Sequence, residues 1–157
     1  MIQTNQLLSG RTLSNPDPAK FEAEIQEGLR LAPFSAQVLN YCGWGYVFLG
    51  QPQFALDCFR KLEIIGRFSP FTVAARGGEV NACVQMGRDE KAVELARNLI
   101  ALAPEYPTPY RGLASALGHL GRSAEAAEVV TQILKMSPGE NLNEIKRRSR
   151  YVINDAT

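Results

Sequence analysis

An internal repeat constrains the fold of this 157-residue chain more than any other sequence feature. Three prolines are each followed 17 residues later by a glycine, and each glycine is followed five residues later by an alanine. These landmarks are Pro33, Gly50 and Ala55, then Pro70, Gly87 and Ala92, then Pro104, Gly121 and Ala126. With Pro138, the prolines are spaced 37, 34 and 34 residues apart. Such a period is typical of small structural units that stack into a solenoid.

Each unit is predicted to contain two helices. The segment from each proline to the next glycine is long enough for one helix, and glycine commonly ends helices. A second helix is predicted after each glycine, and the predicted N-caps are Ser69, Asp89, Thr108 and Ser123. In the last unit Leu113, Leu117 and Leu120 lie on one helix face. No stretch alternates with period 2, so the sequence predicts an all-α protein built from stacked helix hairpins.

The unit resembles the tetratricopeptide repeat (TPR), whose pattern has a large residue and Leu on the first helix, then Gly, Ala, an aromatic residue and Pro. The last unit matches this pattern with Tyr110, Leu113, Gly121, Ala126 and Pro138. The first unit matches with Gly43, Tyr46, Gly50, Ala55 and Phe59, but three extra residues before Pro70 lengthen its second helix or the turn.

The middle unit departs from the pattern. It keeps Gly87, Ala92, Leu99 and Pro104, but Glu79 and Val80 stand where the pattern has Leu and a small residue. Together with Gly77 and Gly78, these residues predict an irregular first helix in this unit.

The resemblance implies one domain over residues 1–157, folded as a right-handed solenoid of helix hairpins. Residues 1–33 would form a partial repeat, 34–70, 71–104 and 105–138 the full repeats, and 139–157 a C-terminal capping helix and tail. The last third also resembles the C-terminal TPR regions of bacterial class III adenylate/guanylate cyclases and related multidomain signalling proteins. That likeness implies a cytoplasmic regulatory or docking arm of a larger signalling protein.

Composition and charge exclude several functions. The 17 basic and 16 acidic residues give a net charge of +1, so no global field attracts nucleic acid or anionic lipid. The basic run from Lys146 to Arg150 is interpreted as a solvated face. The N-terminus lacks the features of a signal peptide, and the most apolar segment, 38–49, is too short to span a bilayer. The sequence therefore predicts neither a nucleic-acid partner nor a membrane.

The sequence shows no candidate catalytic or metal site. His119 is the only histidine, and Cys42, Cys58 and Cys83 are widely spaced without a CxxC pair. A nucleophile needs a base and an orienting group at one point, and the repeat register brings no thiol to His119. We therefore expect no catalytic residue, no metal and no cofactor, and an accessory enzyme that uses His119 is the least favoured alternative.

The TPR resemblance implies a concave groove, lined by the first helices, that binds a peptide, a partner protein or another domain of the parent chain. The groove candidates are Gln37, Asn40, Trp44, Phe48, Asn81, Gln85, Arg111, Ser115 and His119. Arg111 makes the groove better suited to a neutral or mildly acidic peptide than to a basic one. Trp44 either faces the groove or fills the core. The alternative function is a homodimer formed through the exposed end of the solenoid.

Overall fold

A computed structural model describes residues 17–66 and 68–137 of the chain. These residues form seven α-helices and no strand, which confirms the predicted all-α fold. The helices are α1 (Pro18–Leu31), α2 (Ala36–Phe48), α3 (Pro52–Ile65), α4 (Thr72–Gln85), α5 (Asp89–Leu102), α6 (Thr108–His119) and α7 (Ser123–Met136). The predicted capping helix and the start of the partial repeat lie outside the described residues. None of the seven helices is long and apolar enough to cross a membrane.

The turn inside each hairpin is fixed by a glycine. Gly50, Gly87 and Gly121 have φ angles of 68, 66 and 71°, in the left-handed region that side chains disfavour. The amide after each glycine donates a 2.9 Å hydrogen bond to the carbonyl oxygen five residues earlier, near the end of the first helix. The repeat landmark is therefore the point at which the first helix stops.

The three extra residues of the first unit do not lengthen its second helix, because α3, α5 and α7 all have 14 residues. The connection 66–71 is one residue longer than the connection 103–107, and α4, with 14 residues, is two residues longer than α6, with 12. In the connection, the Thr72 hydroxyl donates to the Gly66 carbonyl oxygen at 3.1 Å. The predicted cap at Ser69 is wrong, because α4 begins at Thr72 and the Ser69 hydroxyl accepts instead from the Phe71 amide. Asp89, Thr108 and Ser123 are the first residues of their helices and make no capping bond either.

The helices pack in two layers. Helix α4 contacts both α2 and α6, whereas within the described residues α3, α5 and α7 make no contact with one another. Each of these second helices packs against the first helices beside it, and α1 packs on α2 as the second helix of a preceding unit would. Because the first helices are closely spaced and the second helices are not, α2, α4 and α6 form the inner layer of the stack.

Phe59 joins three helices in the core. Its ring, on α3, lies where a Cβ atom would stand at Gly43 of α2 and at Gly78 of α4. Helix α4 is continuous from Thr72 to Gln85, so the expected irregularity at its two glycines is wrong. Gly78 leaves room for the Phe59 ring, and Gly77 packs against Tyr106 and Thr108.

Candidate functional site

Trp44 is at once a core and a surface residue. Its indole nitrogen donates a 3.2 Å hydrogen bond to the Ala74 carbonyl oxygen and so links α2 to α4. The indole ring meets the buried Phe59 edge-on at a centroid distance of 6.3 Å. Its other neighbour is Phe48, 6.0 Å away and 55% exposed. Trp44 therefore anchors α2 to the core and also supports an exposed aromatic side chain.

One face of α2 remains accessible along its whole length. Gln37, Tyr41, Trp44 and Phe48 follow one another at i, i+4, i+7 and i+11, and none of them is buried. Tyr41 was not among the sequence candidates, although this spacing could have identified it. Asn40 was a candidate, but its side chain is only 5% exposed, so it lies beneath this surface and not on it.

Two amide side chains of α4 continue this surface. The Gln85 side chain donates to the Val47 carbonyl oxygen at 2.8 Å and ties the end of α4 to the end of α2. The Asn81 side chain donates to Gly77 of its own helix at 2.9 Å. In the repeat register, Asn81 corresponds to Trp44 and Gln85 to Phe48. At the positions where α2 presents aromatic rings, α4 thus presents half-buried amides, and Gln85 is the one of the two whose hydrogen bond ties α4 to α2.

Helix α6 contributes Arg111, Ser115 and His119. Arg111 is half-buried, and Ser115 and His119 are exposed. His119 lies at the last residue of α6, where its Nδ1 is 2.9 Å from the Asp89 carboxylate at the start of α5. Asp89, expected to cap α5, is therefore engaged with His119. This contact turns His119 toward α5, so it lies at the rim of the surface and not at its centre.

We define the first-helix face by Tyr41 together with the candidates that are neither buried, as Asn40 is, nor at the rim, as His119 is. Its residues are Gln37, Tyr41, Trp44, Phe48, Asn81, Gln85, Arg111 and Ser115. Its electrostatic character is simple, because α2 contains no charged residue. On α4, Arg76 pairs with Glu63 of α3 at 3.5 Å, on the side of α4 that packs against α3. Arg111 is the charged residue of the face on α6, and it already makes an interaction within the protein.

The chemistry of the thiols does not favour catalysis. Cys42, Cys58 and Cys83 are all buried. Burial raises the pKa of the Cys42 and Cys58 thiols to about 11, and it also raises the pKa of Cys83. A nucleophilic cysteine requires the opposite shift. In the described part of the chain, no three His, Cys, Asp or Glu side chains are grouped as metal ligands would be.

No protein family profile and no curated protein sequence matches the chain. Solved structures do resemble it. The first TPR domain of the human RPAP3 protein superposes with a TM-score of 0.62 and 22% identity over 76% of this chain and 94% of its own. A crystal structure of MamA gives a TM-score of 0.62 and 18% identity, with 85% of each chain covered. MamA AMB-1 gives 0.61 and 20%, covering 76% of this chain and 69% of its own. The chain therefore has the fold of a TPR solenoid.

Proposed function

We propose that the first-helix face binds a segment of a partner protein and that the domain acts as an interaction scaffold without catalysing a reaction. The observation that carries this proposal is the pair of Trp44 and Phe48. Phe48 is half-exposed on a helix with no charge, and its neighbour Trp44 is fixed from below by Phe59 and from the side by Ala74. An exposed aromatic residue on a rigid support is typical of a binding hot spot.

The side chains of the first-helix face indicate what kind of ligand it binds. An apolar side chain would pack on Phe48 and Trp44, and a carboxylate of the ligand would compete for Arg111, two first helices away, with the interaction that Arg111 makes within the protein. Adjacent packed helices are about 8–10 Å apart, which separates α2 from α6 by roughly 16–20 Å. In the repeat register Arg111 also lies eight residues nearer the start of its helix than Phe48 does, an offset of about 12 Å along the helix axis, so the two contacts are roughly 20–23 Å apart. An extended peptide covers this distance in about six or seven residues. We infer a ligand with an apolar residue and an acidic residue at that separation.

The single tryptophan of the chain makes this proposal measurable, because the fluorescence of Trp44 reports on its surroundings. Peptides of 12 residues would be selected from a random displayed library and titrated into the protein. We expect the selected peptides to change Trp44 emission and to carry the predicted pair of residues. Phe48→Ala and Arg111→Gln should each weaken binding by about 1–3 kcal/mol, roughly 5–150-fold.

Phe54→Ala is the matched control. Phe54 is 56% exposed, like Phe48, but lies on the second helix α3. This variant should bind the selected peptides as the wild type does. The proposal fails if Phe48→Ala and Arg111→Gln bind with unchanged affinity. Trp44 itself is unsuitable for substitution, because removing it would also remove its contacts with Phe59 and Ala74.

We also propose a setting for the scaffold, as the docking arm of a larger bacterial signalling protein in the cytoplasm. Its support is the likeness of the last third of the sequence to the TPR regions of class III cyclases. The partner would then be a separate protein or another domain of the same polypeptide. Sequencing the complete gene tests this setting: a catalytic or DNA-binding domain upstream supports it, and a gene that encodes the repeats alone contradicts it.

A further inference from the structure

We propose that the chain forms a homodimer through an apolar edge that is separate from the first-helix face. This apolar edge consists of Leu31, Phe34, Ile64, Ile65 and Phe68. All five are large apolar side chains that remain exposed in the structure. The proposal does not depend on peptide binding, and it places the dimer contact on the side of the solenoid instead of at its end.

The edge is assembled where one unit connects to the next. Leu31 ends α1 and Phe34 precedes α2, while Ile64 and Ile65 end α3 and Phe68 follows it. These segments meet at Gly66, where a Cβ would lie 3.3 Å from the Ala36 Cβ at the start of α2 and 3.1 Å from that of Ser69. The five edge residues therefore lie in the segments that flank this contact.

The connection between α3 and α4 adds to the patch a side chain that does not serve the fold of its own chain. Phe68 lies in this connection and is 97% exposed. Ile64 and Phe34 are 81% and 80% exposed. Burying such side chains is favourable, so their exposure is unfavourable unless another surface covers them.

The size of the patch matches what a dimer needs. A large apolar side chain has roughly 150–200 Å² of surface, so the exposed fractions of these five leave roughly 540–720 Å² of largely apolar area. A standard interface buries about 800 Å² on each partner, of which a little over half is apolar. One self-complementary contact through this edge supplies the required apolar area on both copies.

The charges around the edge favour a second copy over a strongly charged partner. Arg30, next to Leu31, pairs with Glu27 at 2.7 Å, and Glu63, next to Ile64, pairs with Arg76 at 3.5 Å. The charges of these two flanking pairs are neutralised within the chain. The net charge of +1 also gives little repulsion between two copies.

Sedimentation velocity of the full chain across a concentration series tests the proposal. We expect a reversible monomer–dimer equilibrium whose dissociation constant rises at least tenfold in Phe68→Ser and in Ile64→Ser. Both positions are exposed, so circular dichroism should show unchanged helicity. Phe54→Ser is the matched control, because it removes an exposed phenylalanine that lies away from the edge. This variant should dimerise as the wild type does.

Thiol labelling locates the interface independently. The native cysteines are buried, so a maleimide would react chiefly with a cysteine introduced by Phe68→Cys. Its labelling rate should fall as protein concentration rises, whereas Gln53→Cys, on an exposed position of α3, should label at a constant rate.

Several results would overturn the proposal. A wild-type chain that stays monomeric at every concentration would do so, as would a dimer that Phe68→Ser and Ile64→Ser leave unchanged, since its contact would lie elsewhere. A Phe68→Cys labelling rate that is low but independent of concentration would also reject it, because a segment of the same chain would then cover the edge.

Discussion

Phe59 occupies the centre of the first core because two residues facing it have no side chain. Gly43 and Gly78 approach the same ring from α2 and α4, and an added methyl at either would overlap it. Gly118 of α6 offers a contrast, because nothing lies within 4 Å of the position its Cβ would take. A glycine is thus required for packing at position 78, whereas at position 118 it only lowers the helix propensity.

Gly78→Ala and Gly118→Ala are therefore predicted to change stability in opposite directions. Gly78→Ala should destabilise the protein by about 1–3 kcal/mol, because the methyl forces the Phe59 ring to move. Gly118→Ala should stabilise it by about 0.5–1 kcal/mol through helix propensity alone. Urea denaturation of both variants measures the difference, and a shift of the same sign in both would contradict the packing role of Gly78.

Sequence spacing predicts the turn glycines but not the packing glycines. Gly50, Gly87 and Gly121 recur at fixed intervals because each hairpin needs the same turn. Gly78 and Gly112 also stand 34 residues apart, but spacing does not predict their role, because each packs against a different neighbour: Gly78 faces the Phe59 ring and Gly112 has no Cβ where the Val80 side chain packs. Val80, which departs from the TPR pattern, is thus accommodated by a glycine on the next first helix. Such compensation follows from contacts between helices, which a single repeat does not reveal.

At the scale of elements, α4 carries a carboxylate where the pattern has leucine. Glu79 corresponds to Leu113 of the last unit and lies, half-buried, in a small crevice between α3 and α4 beside Phe59 and Leu62. Burial raises the pKa of Glu79 above its ordinary value, and the nearby Glu63 raises it further, while Arg76 opposes the shift. The α3–α4 contact is therefore weaker when Glu79 is ionised than when it is protonated.

We predict that Glu79→Gln removes part of the pH dependence of stability. With a raised pKa, the folded protein binds the Glu79 proton more readily than the unfolded chain does. Wild-type stability from this group is therefore present at low pH and is lost as the pH rises through the raised pKa. Glu79→Gln should gain about 1 kcal/mol at neutral pH, or roughly 2–4 °C in Tm, and little at about pH 4.

Thermal denaturation at several pH values measures this effect. Glu79→Leu, which copies Leu113, serves as a second variant without a titratable group and should show the same trend. A gain that is equal at pH 4 and pH 7, or a loss at pH 7, would show that ionised Glu79 does not weaken the contact.

At the scale of the whole molecule, the layered stack explains why the site was only partly predictable. The repeat register places Trp44, Asn81 and Ser115 at equivalent positions of α2, α4 and α6. It does not show that Asn40 is buried or that Asp89 draws His119 to the rim, because both depend on neighbouring helices. The repeat register also does not show whether the Trp44 side chain lies in the groove or in the core. In the structure its indole contacts both the buried Phe59 and the exposed Phe48.

The most direct test of the scaffold function is to map a bound peptide on the protein by NMR. Backbone amide shifts of the ¹⁵N-labelled chain would be recorded as a selected peptide is added at a concentration that keeps the protein monomeric. We predict that the largest shifts fall on α2, α4 and α6, around Phe48, Gln85 and Arg111. Shifts confined to α3, α5 and α7, or to the apolar edge, would contradict binding at the first-helix face.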